Sequence, residues 1–321
     1  MIIGHKKQLS ILKECIKRER IPHAFLFYGE EKIGKKRVAI EFAKILNCKE
    51  KDLEKRPCLK CDFCKAIEEK RFPDLVIIEP EKVKGFLNRR EIKISQIREL
   101  MWKLSLKNYI GSYKVAIIDD AHFMKKDAQS TLLKTLEEPK GRSIIILISS
   151  LHKLILPTIL SRTEKIKFTP PEREEIEKFL EDKINQLERE KLYFFSQGKI
   201  GKIIEYIKDP SILEKEEKRL SYLQDLTLSP LYKRFDFIKE SLEKGEISEI
   251  LESFFIFFRH LFLSKLGVSK KRILKNEEYF LSRYNLKDLQ KILKLILNIN
   301  TLLSFTNINP KLALEILFLE I

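Results

Sequence analysis

The chain has 321 residues, more than a single hydrophobic core usually supports, so the sequence predicts two or three domains. Hydrophobic residues make up 44% and charged residues 34%, enough for packed cores, and no apolar run approaches the roughly 20 residues that cross a bilayer, which excludes a helical membrane protein. A net charge of +16 and a pI near 9.4 fit contact with polyanions through counter-ion release, although the same charge also serves plain surface solvation.

The first residues are interrupted at once by the polar run His5–Gln8, so no signal peptide is expected, and the compartment predicted is the cytoplasm. Up to about Thr169, short apolar runs alternate with helical patterns. Ala24–Tyr28 (AFLFY) precedes a helix around Arg37 to Leu46, and Asp74–Glu79 (DLVIIE) precedes ISQIRELMWKLS. Lys114–Asp119 (KVAIID) precedes DAQSTLLKTLEE, and Ser143–Ser149 and Glu164–Phe168 complete five expected strands. Apolar runs separated by helices predict an α/β fold, a parallel sheet covered on both faces. Thr169, Pro170 and Pro171 then punctuate the chain, and beyond them no strand is expected: Pro171–Ile184 and Gln197–Asp209 read as small helices, and the chain from about Ser211 reads as helical throughout. Glu252–Leu263 (ESFFIFFRHLFL) is apolar nearly all round, the pattern of a helix buried inside a bundle.

Cys48, Cys58, Cys61 and Cys64 form C-x9-C-x2-C-x2-C between the first helix and the second strand. Two-residue spacers let neighbouring thiolates reach one metal, and four soft ligands leave no open coordination position, so a closed, structural zinc site is expected. Cys15, alone on the apolar face of ILKECI, reads as a core residue.

GEEKIGKK, Gly29–Lys36, has the frame of a phosphate loop but ends in lysine where a Ser or Thr hydroxyl would hold Mg²⁺. Gly29, Gly34 and Lys35 keep the frame. Lys36 is donor-only and cannot ligate a cation, and Glu30 and Glu31 put negative charge where phosphates would come. Asp119 and Asp120 follow the apolar strand VAII, the place where acids bind Mg²⁺ and polarise water. Together these residues predict a vestigial or weak nucleotide site. A basic chain with a cysteine cluster also fits a zinc-dependent nucleic-acid-binding protein, which predicts tight, salt-sensitive DNA binding by the isolated chain.

RIPHAFLFYG with KIGKK, the four cysteines, DDAH, TLLKTLEEP (Thr131–Pro139), LPTILSRT (Leu156–Thr163) and NINPKLALE (Asn307–Glu315) occur in one order. In that order they resemble the bacterial DNA polymerase III clamp-loader family, and within it the delta-prime type. The resemblance implies an AAA+ domain over residues 1–168 with the zinc module at 48–64, a helical lid over 169–210 and an all-helical collar over 211–321. It further implies a subunit of a ring that loads the sliding clamp onto primed DNA, with gamma/tau and delta subunits, clamp and primer-template DNA as partners within the replisome. Arg162, in SRT, becomes an arginine finger acting on a neighbouring subunit's ATP site, and Ser149 stands where the family's sensor residue is usually Thr. Three departures distinguish this chain from the family's ATP-hydrolysing gamma/tau motor: Lys36 for Ser/Thr, Asp120 for Glu, and Gly201 where an Arg is usual. They imply a structural stator with little or no ATP turnover, the motor subunit being the alternative.

Overall fold

The computed structural model describes residues 2–83, 90–139, 141–181, 184–268, 274–306 and 308–321. Asn307, the first residue of one of the family-like motifs, lies outside them. By internal contacts the chain divides into two compact units. Of the described residues, one contains those within 2–81, 90–189 and 198–203, and the other those within 82–83, 190–197 and 204–321.

The first unit is built on β1 (Ala24–Tyr28), β2 (Leu75–Ile78), β3 (Lys114–Ile118), β4 (Ser143–Ser149) and β5 (Glu164–Lys167). They form one five-stranded sheet, ordered β2-β3-β4-β1-β5, and every pairing is parallel. All five expected strands are present. A short two-stranded ribbon, Glu81–Lys82 with Arg90–Glu91, was not legible in the apolar pattern because it is too short and too polar to show one.

Alternation along the strands sorts their side chains into two layers. Phe25, Phe27, Val115, Ile117, Ile144, Ile146 and Ile148 pack on one face with Leu12 of α1 (Lys6–Lys17), Val38 and Phe42 of α2 (Lys35–Asn47) and Ile67 of α3 (Asp62–Glu68). On the other face Leu26, Ala116, Ile118, Ile145 and Leu147 meet Ile97 and Leu100 of α4 (Ile94–Ser105), Leu132 and Leu136 of α5 (Lys126–Glu137) and Ile159 of α6 (Pro157–Leu160). The register pairs Tyr28 with Ser149 and with Lys167, and Ile78 with Ile118. The carboxyl ends of the strands are therefore level, and the loops after β1, β2 and β3 open at one end of the sheet, where α/β proteins place their sites.

After α7 (Arg173–Leu180) come α8 (Gln186–Ser196) and α9 (Ile200–Lys208), each with residues in both units. The second unit is otherwise helical: α10 (Pro210–Thr227), α11 (Leu231–Lys244), α12 (Ile247–Lys265), α13 (Glu277–Arg283), α14 (Leu286–Phe305) and α15 (Pro310–Glu320). As its composition predicts, α12 is the centre of this unit. Phe254 meets Phe318 of α15 at 5.3 Å, Phe257 meets Phe280 of α13 at 5.0 Å, and Phe258 meets Tyr284 at 5.6 Å, all edge-on. Edge-to-face packing of this kind adds about 1 kcal/mol per pair to area burial.

Candidate functional site

The phosphate-loop frame is a strand, a tight turn and a helix. Gly29 takes φ 148°, and a Cβ there would lie 2.2 Å from the Phe168 carbonyl oxygen, so only glycine fits. Its N–H donates to Ser149 O at the end of β4, 3.2 Å away. Gly34 takes φ 107° and caps α2.

The lysines of the loop are turned to internal partners. Lys35 is buried, and its Nζ donates to Gly29 O at 2.9 Å and also to Glu30 O. Burial holds its pKa below the ordinary lysine value, with Asp120 and Glu31 opposing that shift. Lys36, one residue on, pairs with Asp119 Oδ2 at 2.8 Å and with the Glu79 carboxylate at the end of β2. Burial works against its charge, but the hydrogen bonds to Asp119 and Glu79 outweigh it and leave its pKa raised. The Lys36 bond in turn lowers the pKa of Glu79. The position expected to hold a metal-binding hydroxyl thus carries an ammonium set between two carboxylates.

Asp120 has the left-handed φ of 47° and lies 4.0 Å from Arg90. Burial, then the charges of Asp119 and Glu31, push its carboxyl up to about 6. Ser149 is fully buried. Its hydroxyl accepts from the Leu151 N–H at 3.1 Å and meets His122 Nδ1 at 3.3 Å. Burial, then the Lys35 and Arg90 charges, brings His122 down to about 4, so the imidazole is neutral at physiological pH.

Two contacts close the loop from outside. The His5 ring, edge-on to Phe168, places Nε2 2.6 Å from Ile33 O. Gly201 donates its N–H to Lys32 O at 2.8 Å, and a Cβ at 201 would meet that oxygen at 2.7 Å. The start of α9 therefore lies backbone against backbone on the loop, and no side chain fits between them. His5, Glu79 and Arg90 are the participants that sequence reasoning missed. Glu79 had a signal, an acid at the carboxyl end of a strand like Asp119. His5 and Arg90 act through tertiary contacts and had none.

Arg162 lies in the turn from α6 to β5 with its side chain 38% exposed. Its guanidinium donates to Thr158 O at 3.0 Å and pairs with Glu137 Oε1 at 3.0 Å, and neither partner belongs to the strand-end cluster.

The four cysteines do come together. Cys48 ends α2, Cys61 caps α3 and Cys64 lies in its first turn. The four sulfurs all lie within 4.8 Å of one another, near enough to converge on one ion. Backbone N–H groups of Cys58, Cys61 and Cys64 donate to the sulfurs of Cys48, Cys58 and Cys61 at 3.3, 3.4 and 3.5 Å. Burial opposes ionisation of Cys61, but the Lys49 and Cys64 N–H groups bring its pKa down to about 6, while burial pushes Cys64 well up. This donor set fits a soft divalent ion. Cys15 stands apart, half-buried on α1.

Comparison with known proteins gives a consistent family. The chain is 34% identical over 161 residues to DNA polymerase III subunit tau/gamma of Haemophilus influenzae, a match covering 50% of this chain and 22% of that protein. It is 34% identical over 169 residues to DNA polymerase III subunit delta-prime of Bacillus subtilis, covering 53% of this chain and 49% of that one. The chain thus spans half or less of the length of these relatives. Among solved structures, a DNA polymerase III gamma subunit-related protein from Thermotoga maritima has a similar fold, with a TM-score of 0.52, 21% identity and 97% coverage of both chains. The family model described as DNA polymerase III, delta subunit, matches residues 4–172, more than half of this chain. With its AAA+-type parallel sheet and helical C-terminal part, the chain belongs to the DNA polymerase III clamp-loader subunit family described by that model.

Proposed function

We propose that this chain is a delta-prime-type clamp-loader subunit, a stator that does not hydrolyse ATP. In this reading it works in the cytoplasm, in a ring with gamma/tau and delta subunits that places the sliding clamp on primed DNA. The observation that carries the reading is Lys36: its ammonium, 2.8 Å from Asp119 and paired with Glu79, stands where catalysis by this architecture needs a hydroxyl and Mg²⁺. Asp120 adds to it. One methylene shorter than Glu and protonated up to about pH 6, it is poorly placed to orient a water.

Arg162 supplies the finger in trans. It is exposed, and leaving Glu137 costs little because exposed ion pairs are worth at most about 1 kcal/mol. Residues 169–210 form the lid and 211–321 the collar. On α15, Leu312, Ile316 and Leu319 are exposed at 56, 52 and 62% while Leu314, Leu317 and Phe318 fill the core, and that outer stripe is where a neighbouring subunit's helix docks. Zinc held by Cys48, Cys58, Cys61 and Cys64 is structural. The second reading, a gamma/tau-type motor, is favoured by the retained Gly29, Gly34 and Lys35 and by the 34% identity to a tau/gamma subunit.

The test is Arg162→Ala in the reconstituted loader. DNA-stimulated ATPase activity is expected to fall by about ten-fold or more, as removal of trans-acting arginines does, with the ring still assembled. Unchanged activity removes the assignment.

A further inference from the structure

Metal-dependent phosphate loops bring together a helix start, a strand-end acid and a divalent cation whose charge the acid shares. Here the same convergence exists with a side-chain cation in the middle. Lys36, on the first turn of α2, reaches Asp119 after β3 at 2.8 Å and Glu79 after the edge strand β2, so one ammonium joins three elements. Its side chain is 30% exposed and that of Asp119 is 20% exposed, which leaves the contact partly screened from water. Gln96 Nε2 donates to Glu79 O at 3.1 Å and ties the same corner to α4.

We propose that the Lys36 ammonium is a built-in counter-ion standing in for a divalent cation between Glu79 and Asp119, so that the loop end of the sheet holds its arrangement without metal or nucleotide. The inference rests on the reading of a relic nucleotide site and specifies what replaced the metal. A tethered ammonium loses no translational freedom on binding and cannot be chelated, so the corner is closed from the moment the domain folds.

The experiment compares thermal unfolding of the full, zinc-replete chain in chelator-free buffer without Mg²⁺ and in millimolar MgCl₂, against NaCl of matched ionic strength and with no nucleotide, so that the cysteine site keeps its metal throughout. The outcome is therefore separate from whether the subunit turns over ATP. The wild type is expected to show one Tm in both. Lys36→Met, which keeps the stem and loses the charge, should melt about 3–6 °C below the wild type in the Mg²⁺-free buffer and ignore Mg²⁺. Lys36→Thr should melt lower than the wild type without Mg²⁺ and be raised by MgCl₂, because its hydroxyl and the two freed carboxylates then form an oxygen site. If Lys36→Thr does not fold without metal, the pair Lys36→Met and Glu79→Gln decides: removing the orphaned carboxylate should recover part of the Lys36→Met loss. A wild type stabilised by Mg²⁺, a Lys36→Thr protein that folds yet ignores it, a Lys36→Met protein as stable as wild type, or no recovery in the double variant each overturns the proposal.

Discussion

The clearest electrostatic signature at the residue scale is Asp120, held at about 6 by burial and by the Asp119 and Glu31 charges. An unfolded Asp ionises near pH 3.9, so between about pH 4 and 6 the folded state binds a proton that the unfolded state has released. The stability linked to Asp120 is therefore present at low pH and lost as pH rises through the folded pKa. Asp120→Asn, uncharged and at ease at a left-handed φ of 47°, should be more stable than wild type by ~1–3 kcal/mol at about pH 8, the gain vanishing near pH 4. Urea midpoints across that range measure it; a gain that is constant with pH would remove burial of the charge as its cause.

The element scale is where the phosphate-loop turn and the buried helix α12 decide stability. Gly29→Ala forces a Cβ to 2.2 Å from a backbone oxygen, and the turn must deform. A loss of ~3 kcal/mol or more in chemical denaturation is expected, with strands β1 and β5 spreading at Phe168. Phe254→Ala removes a fully buried ring from α12 and should cost ~3–5 kcal/mol in the helical unit. A loss below about 1 kcal/mol at either position contradicts the packing described.

The five strands and α12 were legible because their signal is local: apolar runs of strand length, and a helix apolar all round. The cysteine knuckle was legible for the same reason, since its geometry follows from short spacers. The strand-end cluster was half legible. Lys36, Asp119 and Asp120 stand inside motifs, but their partners Glu79 and Arg90 and the closing contacts of His5 and Gly201 come from elements far apart in sequence. Gly201 looked like a missing arginine, and the fold shows a position where no side chain fits against Lys32 O. Helix α8 also escaped the sequence reading, its charged and aromatic residues LEREKLYFF lacking a clean apolar stripe.

For the whole molecule, the cysteine cluster and the strand-end site divide the labour. One closes an insert between α2 and β2, and the other closes the loop end of the sheet. If zinc is structural, Cys61→Ser should abolish stoichiometric zinc in the purified chain and make the insert near residues 48–64 protease-sensitive, with the helical unit unaffected. Metal analysis with limited proteolysis reads both, and an unchanged zinc content would contradict the four-thiolate site. In the proposed reading the chain keeps the frame of a nucleotide-binding domain, while Lys36, Asp119 and Glu79 pair with one another where its chemistry would be. The most direct test is steady-state ATP hydrolysis by the purified chain alone, with Lys35→Ala as control. No turnover above that control is expected. Turnover that disappears in Lys35→Ala would show that Lys36 and Asp120 do not disarm the site and that the chain is a motor subunit.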